Sequence, residues 1–308
     1  MSSRSPARTR AAEAALFLTA TAWGSTFFLT KQSLAWVDPL VLVGYRFSAA
    51  ALLLLLGLAA RRRGVLENAR RGLILGIVLC VVLVAQTIGL GYTRASNSGF
   101  ITGTSVVFVP LIALVVSRSV PRPPTMIAVA ACILGLLLLT SGVRGFNRGD
   151  ALTLLCAFAA GVHILLVDSI RRRGTDPYIL GVQQFAVVGT LSLFMGAILQ
   201  RPFVVERRET ALVILYLALV PTLLAYVIQL VAQRHTSPTR TALILVQESP
   251  IAAIFAWTLG GEAPRWNGVV GGALMLAALM VADATIHQER RGPGPPHAGP
   301  NAVPHVED

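Results

Sequence analysis

Charged side chains are scarce in this sequence of 308 residues. Lys, Arg, Asp and Glu together make up 13% of it, while 55% of the residues are hydrophobic. Soluble domains carry roughly 25% charged residues, so this chain lacks the polar residues needed to cover the surface of a soluble protein of its size. The composition therefore excludes an ordinary cytosolic enzyme and indicates an integral membrane protein. At about 20 apolar residues per crossing, ten crossings leave about 100 residues, enough only for short loops and tails.

Several short motifs that carry chemistry are also missing. The sequence has no G-x-x-x-x-G-K-[ST] loop, no G-x-S-x-G and no H-E-x-x-H, so ATP-driven transport and the common hydrolytic sites lack their signatures. The three cysteines, Cys80, Cys132 and Cys156, lie inside apolar runs and form no C-x-x-C pair. We interpret them as small buried hydrophobic residues. His297 and His305 are too sparse to predict a metal site, and no cofactor is expected.

Basic residues are plentiful, but almost all are arginine, and Lys31 is the single lysine. The formal net charge of +12 raises the question of nucleic-acid binding. The arginines instead form short clusters at the ends of apolar runs, as at 61–63, 70–71 and 171–173. Such clusters are topology signals of membrane proteins, so no nucleic-acid partner is predicted and the lipid bilayer is the expected surroundings.

Uninterrupted apolar stretches predict an all-α integral membrane protein with ten transmembrane helices. The predicted helices are 13–33, 38–59, 71–92, 97–117, 124–141, 150–168, 178–199, 209–231, 238–259 and 266–286.

The distribution of basic residues predicts the orientation of this bundle. With the N-terminus inside, 17 basic residues lie on the inner side and 8 on the outer side. This bias places both termini, including a basic N-terminal tail at 1–12, in the cytoplasm. The C-terminal tail at 287–308 is rich in proline and glycine and is predicted to be disordered.

The two halves of the chain resemble each other. Asp38-Pro39 introduces the second predicted helix and Asp176-Pro177 the seventh, and Arg94 precedes Pro110 by the same spacing as Arg234 precedes Pro250. We predict two repeats of five helices, at 13–141 and 150–286. Because five is odd, the second repeat is inverted relative to the first, which is a recurrent plan of secondary transporters with a binding site between the repeats.

Three segments carry a family resemblance. They are Trp23-Gly24-Ser25-Thr26, the run from Ala95 to Gly103 that leads to Val109-Pro110, and the stretch from Thr236-Ser237-Pro238-Thr239-Arg240 through Glu248 to Gly261-Glu262. The sequence resembles EamA-type members of the drug/metabolite transporter superfamily over about residues 13 to 286. The resemblance implies ten helices in two inverted repeats, an inner-membrane location, and solute movement, often efflux of metabolites or amino acids. One departure is that Glu248-Ser249-Pro250 stands where the family usually has Glu-Pro.

Glu248 is the strongest candidate for a functional residue. It lies about ten residues into the ninth predicted helix, where an ionised carboxylate costs roughly 2.5 to 3.5 kcal/mol. We expect it to face a polar cavity, with a neutral acid that holds two helices together as the alternative. Pro250 and Pro110 are expected to break their helices, since proline lacks the N–H of the helical ladder.

Arg46 is the one basic residue inside an apolar run, about 12 Å from the start of the second predicted helix. Two cavity roles are open for it, as a counter-charge to Glu248 or as a fork for a substrate carboxylate. The alternative is that its side chain snorkels to the outer interface. Gln183 and Gln184 occupy the matching place in the second repeat.

Other polar residues within apolar runs are candidates for a cavity lining or for coupling. His163 titrates near neutral pH in water and is a candidate proton relay. For the other residues, the alternative to lining a cavity is to join helices by hydrogen bonds. They are Trp23, Gln86, Asn97, Thr102, Tyr226, Gln229 and Gln247.

The first functional hypothesis is a secondary transporter that exports small metabolites, amino acids or drug-like compounds by alternating access through a central cavity, with proton or exchange coupling. An intramembrane enzyme is the second hypothesis, and it lacks a nucleophile signature. A passive channel or a non-transporting membrane scaffold is the third. Saturable flux with counterflow would separate a carrier from a channel.

Overall fold

The computed structural model describes residues 6–59, 64–117, 123–140 and 147–264, together with 266–267, 269–271, 273–274 and 277–278. Every regular element in this part of the chain is helical, which confirms the all-α prediction. The α-helices are α1 (Pro6–Ser33), α2 (Pro39–Ala59), α3 (Ala69–Leu90), α4 (Ala95–Gly103), α5 (Ser105–Ser117), α6 (Pro123–Thr140), α7 (Arg148–Arg171), α8 (Pro177–Ile198), α9 (Arg208–Ala218), α10 (Ala225–Ala232), α11 (Pro238–Leu245) and α12 (Glu248–Thr258). A π-helical turn, Leu219–Leu224, joins α9 to α10.

Seven helical segments of the described chain are long and apolar enough to cross a membrane. They are Pro39–Ala59, Ala69–Leu90, Ala95–Val116, Arg148–Arg171, Pro177–Ile198, Arg208–Ala232 and Pro238–Thr258. Two further predicted helices coincide with α1 and α6, which are not among the seven; within α6 the apolar stretch Met126–Gly135 is counted as a shorter apolar helix. The tenth predicted helix, 266–286, lies largely outside the described residues.

Helix α1 begins earlier than expected. It starts at Pro6, so the predicted tail at 1–12 is helical from that residue onward. Proline suits the first turn of a helix because its missing N–H is not needed there. The carboxylate of Glu13 then pairs with Nε of Arg240 at 2.7 Å, which holds this early part of α1 against α11.

The most extensive helix pair is α2 with α8, and it is built on close contacts at glycine. Gly44 of α2 lies against Leu193 of α8, while Gly181 of α8 lies against Leu54 of α2. A Cβ atom on Gly189 would stand 2.8 Å from the backbone N of Ser48, so the two backbones almost touch there. Only glycine permits such an approach.

Two of the membrane-length segments are interrupted. The first is broken at Thr104, between α4 and α5, and the second at residues 246–247, between α11 and α12. Pro110 lies inside the continuous helix α5, so the break expected there is not formed, whereas Pro250 lies in the first turn of α12, directly after a break. The carbonyl that Pro250 leaves free, that of Val246, accepts from the N–H of Ser249 at 3.0 Å.

Candidate functional site

A small polar cavity lies where the helices of the two halves of the chain meet. Its walls come from α1, α2, α3, α4, α5, α7, α10, α11 and α12. Six of the predicted site residues line it, and so do Thr102 and Gln229. The six are Trp23, Arg46, Gln86, His163, Tyr226 and Glu248.

The cavity has a volume of about 60 Å³. This is room for a few water molecules, since one water occupies about 30 Å³ in the liquid. Pockets that hold small-molecule ligands usually measure about 300 to 1,000 Å³. A metabolite therefore requires the surrounding helices to separate before it can occupy this space.

Glu248 is the first residue of α12, and its side chain faces this cavity with only 8% of its surface exposed. The break at residues 246–247 places Glu248 at the start of a new helix within the segment, where the helix dipole favours a carboxylate. Within the described part of the chain, no side chain hydrogen-bonds or pairs ionically with this carboxyl group. Glu248 is thus a buried acid whose side chain faces the open space of the cavity.

Arg46 is also buried, at 4% exposure, so it does not snorkel to an interface. Its Nε donates a hydrogen bond to Oγ1 of Thr222, and its guanidinium carbon lies 5.3 Å from the ring centroid of Phe47. No ion pair within 4.0 Å joins it to Glu248 or to another acid among residues 6–59, 64–117, 123–140 and 147–264. The expected counter-charge pairing is therefore not formed, because the guanidinium turns to the hydroxyl of Thr222 instead.

The partner of Arg46 belongs to the π turn, which sequence reasoning missed. In this turn the carbonyl of Pro221 accepts a hydrogen bond from Nε1 of Trp23 at 2.8 Å. The next residue, Thr222, accepts from Arg46. Proline in a helix interior removes a ladder hydrogen bond, and π turns are frequent at functional sites. Pro221, inside the predicted helix 209–231, was the signal available in the sequence.

Tyr226 lies at the centre of an aromatic cluster at the cavity. Its ring centroid is 4.8 Å from that of Trp23, 5.9 Å from that of Phe185, 6.1 Å from that of Phe47 and 6.4 Å from that of His163. The rings meet at tilted or edge-to-face angles, the arrangement that their quadrupoles favour. This cluster gives the cavity one rigid apolar wall beside its charged residues.

His163 and Gln184 form a buried pair. Nε2 of His163 lies 3.0 Å from Oε1 of Gln184, and the glutamine is fully buried. An amide oxygen only accepts hydrogen bonds, so with this placement of the amide the proton of the neutral imidazole sits on Nε2. Gln184 does not line the cavity, and its observed contact is with the histidine that does.

Three other predicted site residues are also outside the cavity lining. Gln183 donates from Nε2 to the carbonyls of Val65 and Glu67, both at 2.8 Å, and so holds the segment between α2 and α3. It faces away from Gln184 because successive residues of a helix point about 100° apart. Asn97 is half-buried on α4, and Gln247 is buried at the break before α12.

Two further features define the chemistry of the cavity. Nε2 of Gln86 donates to Oγ1 of Thr102 at 3.3 Å, which ties α3 to α4 at the cavity wall. Among the described residues, no group of three or more His, Cys, Asp and Glu side chains is placed to hold a metal ion. The arrangement offers one buried cation, one buried acid and hydrogen-bonding groups around a small space, which suits recognition of a polar solute.

Multiple apolar helices of membrane-spanning length around an internal cavity define a class, that of multi-pass membrane proteins. The EamA-like transporter family matches the chain twice, over residues 10–141 and 147–282. This chain belongs to the EamA-like transporter family, which confirms the resemblance drawn from its sequence.

Individual relatives agree with this assignment. One protein of Archaeoglobus fulgidus, named an uncharacterized transporter, is 30% identical over 282 residues, which cover 89% of this chain and 86% of that protein. A second uncharacterized transporter of the same organism is 28% identical over 286 residues, covering 89% and 97%. A crystal structure of another protein superposes with a TM-score of 0.76 at 18% identity and covers 92% of this chain and 99% of its own. That likeness extends to the fold alone.

Proposed function

We propose that this protein is a secondary transporter that exports small metabolites, amino acids or drug-like compounds by alternating access through the central cavity. The observation that carries the proposal is the pair of buried ionisable side chains at one cavity. Arg46 and Glu248 both line it, and neither has an ionic partner within 4.0 Å in the described part of the chain. Ionisable residues inside a membrane protein are costly and typically mark substrate or ion pathways.

The proposed architecture is ten helices in two inverted repeats. The family matches the chain in two consecutive blocks, 10–141 and 147–282. The reciprocal contacts of α2 and α8 support an antiparallel relation between the repeats, because each helix places a glycine near its start against a leucine of the other. The breaks in the α4–α5 and α11–α12 segments fall in the predicted fourth and ninth helices, which are equivalent positions of the two repeats.

A carrier is favoured over the other two functional classes. Family membership points to a transporter and not to an enzyme. A continuous pore must cross about 30 Å of hydrocarbon, and a cavity of about 60 Å³ is far too small to do so. Substrate movement then requires a change of conformation.

Uptake and counterflow in proteoliposomes test the proposal. We expect saturable flux and counterflow of at least one compound from a panel of amino acids, other metabolites and cationic drugs, without ATP. Protein-free liposomes give the background. Flux that rises linearly with concentration and shows no counterflow would identify a channel. Absence of flux across the whole panel would favour a membrane scaffold.

We also propose that both termini lie in the cytoplasm and that the protein resides in the inner membrane. Cysteines placed at Glu67 and at Pro296 should then resist impermeant thiol reagents added to intact cells. A cysteine at Gln200, in the turn that follows α8, should react because that turn is predicted to be external. Labelling of only one of the first two positions would mean an odd number of crossings and contradict the inverted-repeat arrangement.

A further inference from the structure

A second and larger space lies away from the central cavity, between the start of α1, the start of α8 and the end of α10. Its volume is about 500 Å³, within the range of small-molecule sites. Three small residues of α1, Ala11, Ala12 and Ala15, form one side of it, and Val227 and Val231 lie on the other. We call this space the α1–α10 groove.

The polar residues of the groove all lie at helix ends. Arg8 is the third residue of α1, Tyr178 is the second residue of α8, and His235 follows the end of α10. Arg8 is exposed, while Tyr178 and His235 are half-buried. The groove is thus apolar along its length and basic at one end, and tyrosine is a residue typical of the membrane interface.

Arg8 is the cationic side chain that lines this end of the groove. No acidic side chain lines the groove within the described part of the chain. Two acids are close to the groove in sequence: Glu13 is paired with Arg240 at 2.7 Å, and Asp176 caps α8 by accepting from the N–H of Tyr178 at 2.8 Å. The basic cluster Arg171–Arg173 lies at the same end of the bundle, where α7 finishes and α8 begins. Basic pockets between helices at the cytoplasmic surface attract anionic lipid headgroups.

We infer that the α1–α10 groove binds an anionic phospholipid, with the phosphate at Arg8 and an acyl chain along the alanine and valine side chains. An apolar space of about 500 Å³ has room for part of an acyl chain, and a cationic residue at its end suits a phosphodiester. This site is separate from the central cavity and does not depend on the proposed transport function.

Lipid binding to the purified full-length protein tests this inference. Phosphatidylglycerol is titrated into the protein in detergent, and bound lipid is counted by native mass spectrometry, with phosphatidylcholine as the neutral comparison. We expect tighter binding of phosphatidylglycerol. Arg8→Gln should weaken it about fivefold, the effect of one basic residue near an anionic lipid. Arg10→Gln, an equal change of charge at an exposed position outside the groove, is the matched control.

A second pair of variants tests the apolar part without changing charge. Ala11→Trp fills the groove, whereas Ala14→Trp adds the same side chain at an exposed position that does not line it. We expect loss of phosphatidylglycerol only from Ala11→Trp. Equal weakening by Arg8→Gln and Arg10→Gln would reduce the effect to general surface charge and overturn the site. Equal binding of the two lipids, or a change of oligomeric state without loss of lipid in Ala11→Trp, would overturn it as well.

Discussion

Replacing Arg46 by glutamine is expected to reduce transport by about tenfold to a hundredfold while abundance in the membrane stays near normal. Glutamine keeps a donor for the hydroxyl of Thr222 but carries no charge, so the cavity loses its cation. A hydrogen bond to a charged group contributes about 1.5 to 3 kcal/mol, which corresponds to this range of affinities. The measurement is initial rate against substrate concentration in proteoliposomes.

Two further variants make the Arg46 result specific. Arg46→Lys keeps the charge but not the planar fork, so an intermediate rate is expected if the fork binds the substrate. Arg201→Gln removes an arginine that is half-exposed and lies 3.7 Å from Asp38, and it should leave transport unchanged. Loss of protein in proportion to activity would assign Arg46 a folding role, and unchanged kinetics would remove it from the transport pathway.

Replacing Glu248 by glutamine is expected to retain substrate binding but lower net transport about fivefold to a hundredfold, the usual range of coupling between two sites. Glutamine has nearly the same shape and hydrogen bonds, but it cannot exchange a proton. Because Glu248 faces the cavity without a partner in the described chain, its protonation can change as the cavity opens to one side and then to the other. Net transport by Glu248→Gln should therefore also lose its dependence on pH.

Initial rates measured across a range of pH in wild type and Glu248→Gln decide this prediction. Glu209→Gln is the matched control, because Glu209 is exposed in the first turn of α9 and lies outside the cavity. Superimposable curves for wild type and Glu248→Gln would eliminate Glu248 as the coupling residue and leave it as a contact between helices.

The candidate site was largely predictable because polar groups are rare and costly inside a bilayer. Residues such as Arg46, His163 and Glu248 stand out in their apolar runs, and the structure brings all three to one cavity. Adjacent polar residues are harder to separate. Gln183 and Gln184 are both polar residues in an apolar run, yet Gln183 bonds the segment between α2 and α3 while Gln184 bonds His163. Which of two adjacent side chains faces a cavity depends on the rotation of the helix about its axis, and that rotation is fixed by packing against neighbouring helices.

The membrane helices were predictable in position more than in their internal irregularities. Apolar length determines where a segment crosses, and the starts of α2, α8 and α11 agree with expectation within a residue. The π turn at Leu219–Leu224 depends on partners that are distant in sequence, the indole of Trp23 and the guanidinium of Arg46. The presence of Pro221 in the sequence does not by itself show that its carbonyl and the hydroxyl of Thr222 will accept hydrogen bonds from Trp23 and Arg46.

The near contact of Ser48 and Gly189 would allow the crossing of α2 and α8 to act as a pivot. Only the small side chain of Ser48 lies against Gly189 at that point, so no large side chain must change rotamer when the crossing angle changes. Each end of α2 lies about 15 Å from the pivot, and a rotation of about 10° would move the ends about 2.6 Å in opposite directions. Arg46, two residues from the pivot, would move by only about 0.5 Å. Such a rotation of α2 would widen the bundle at one end of the helix and narrow it at the other, while Arg46 near the pivot stays in place.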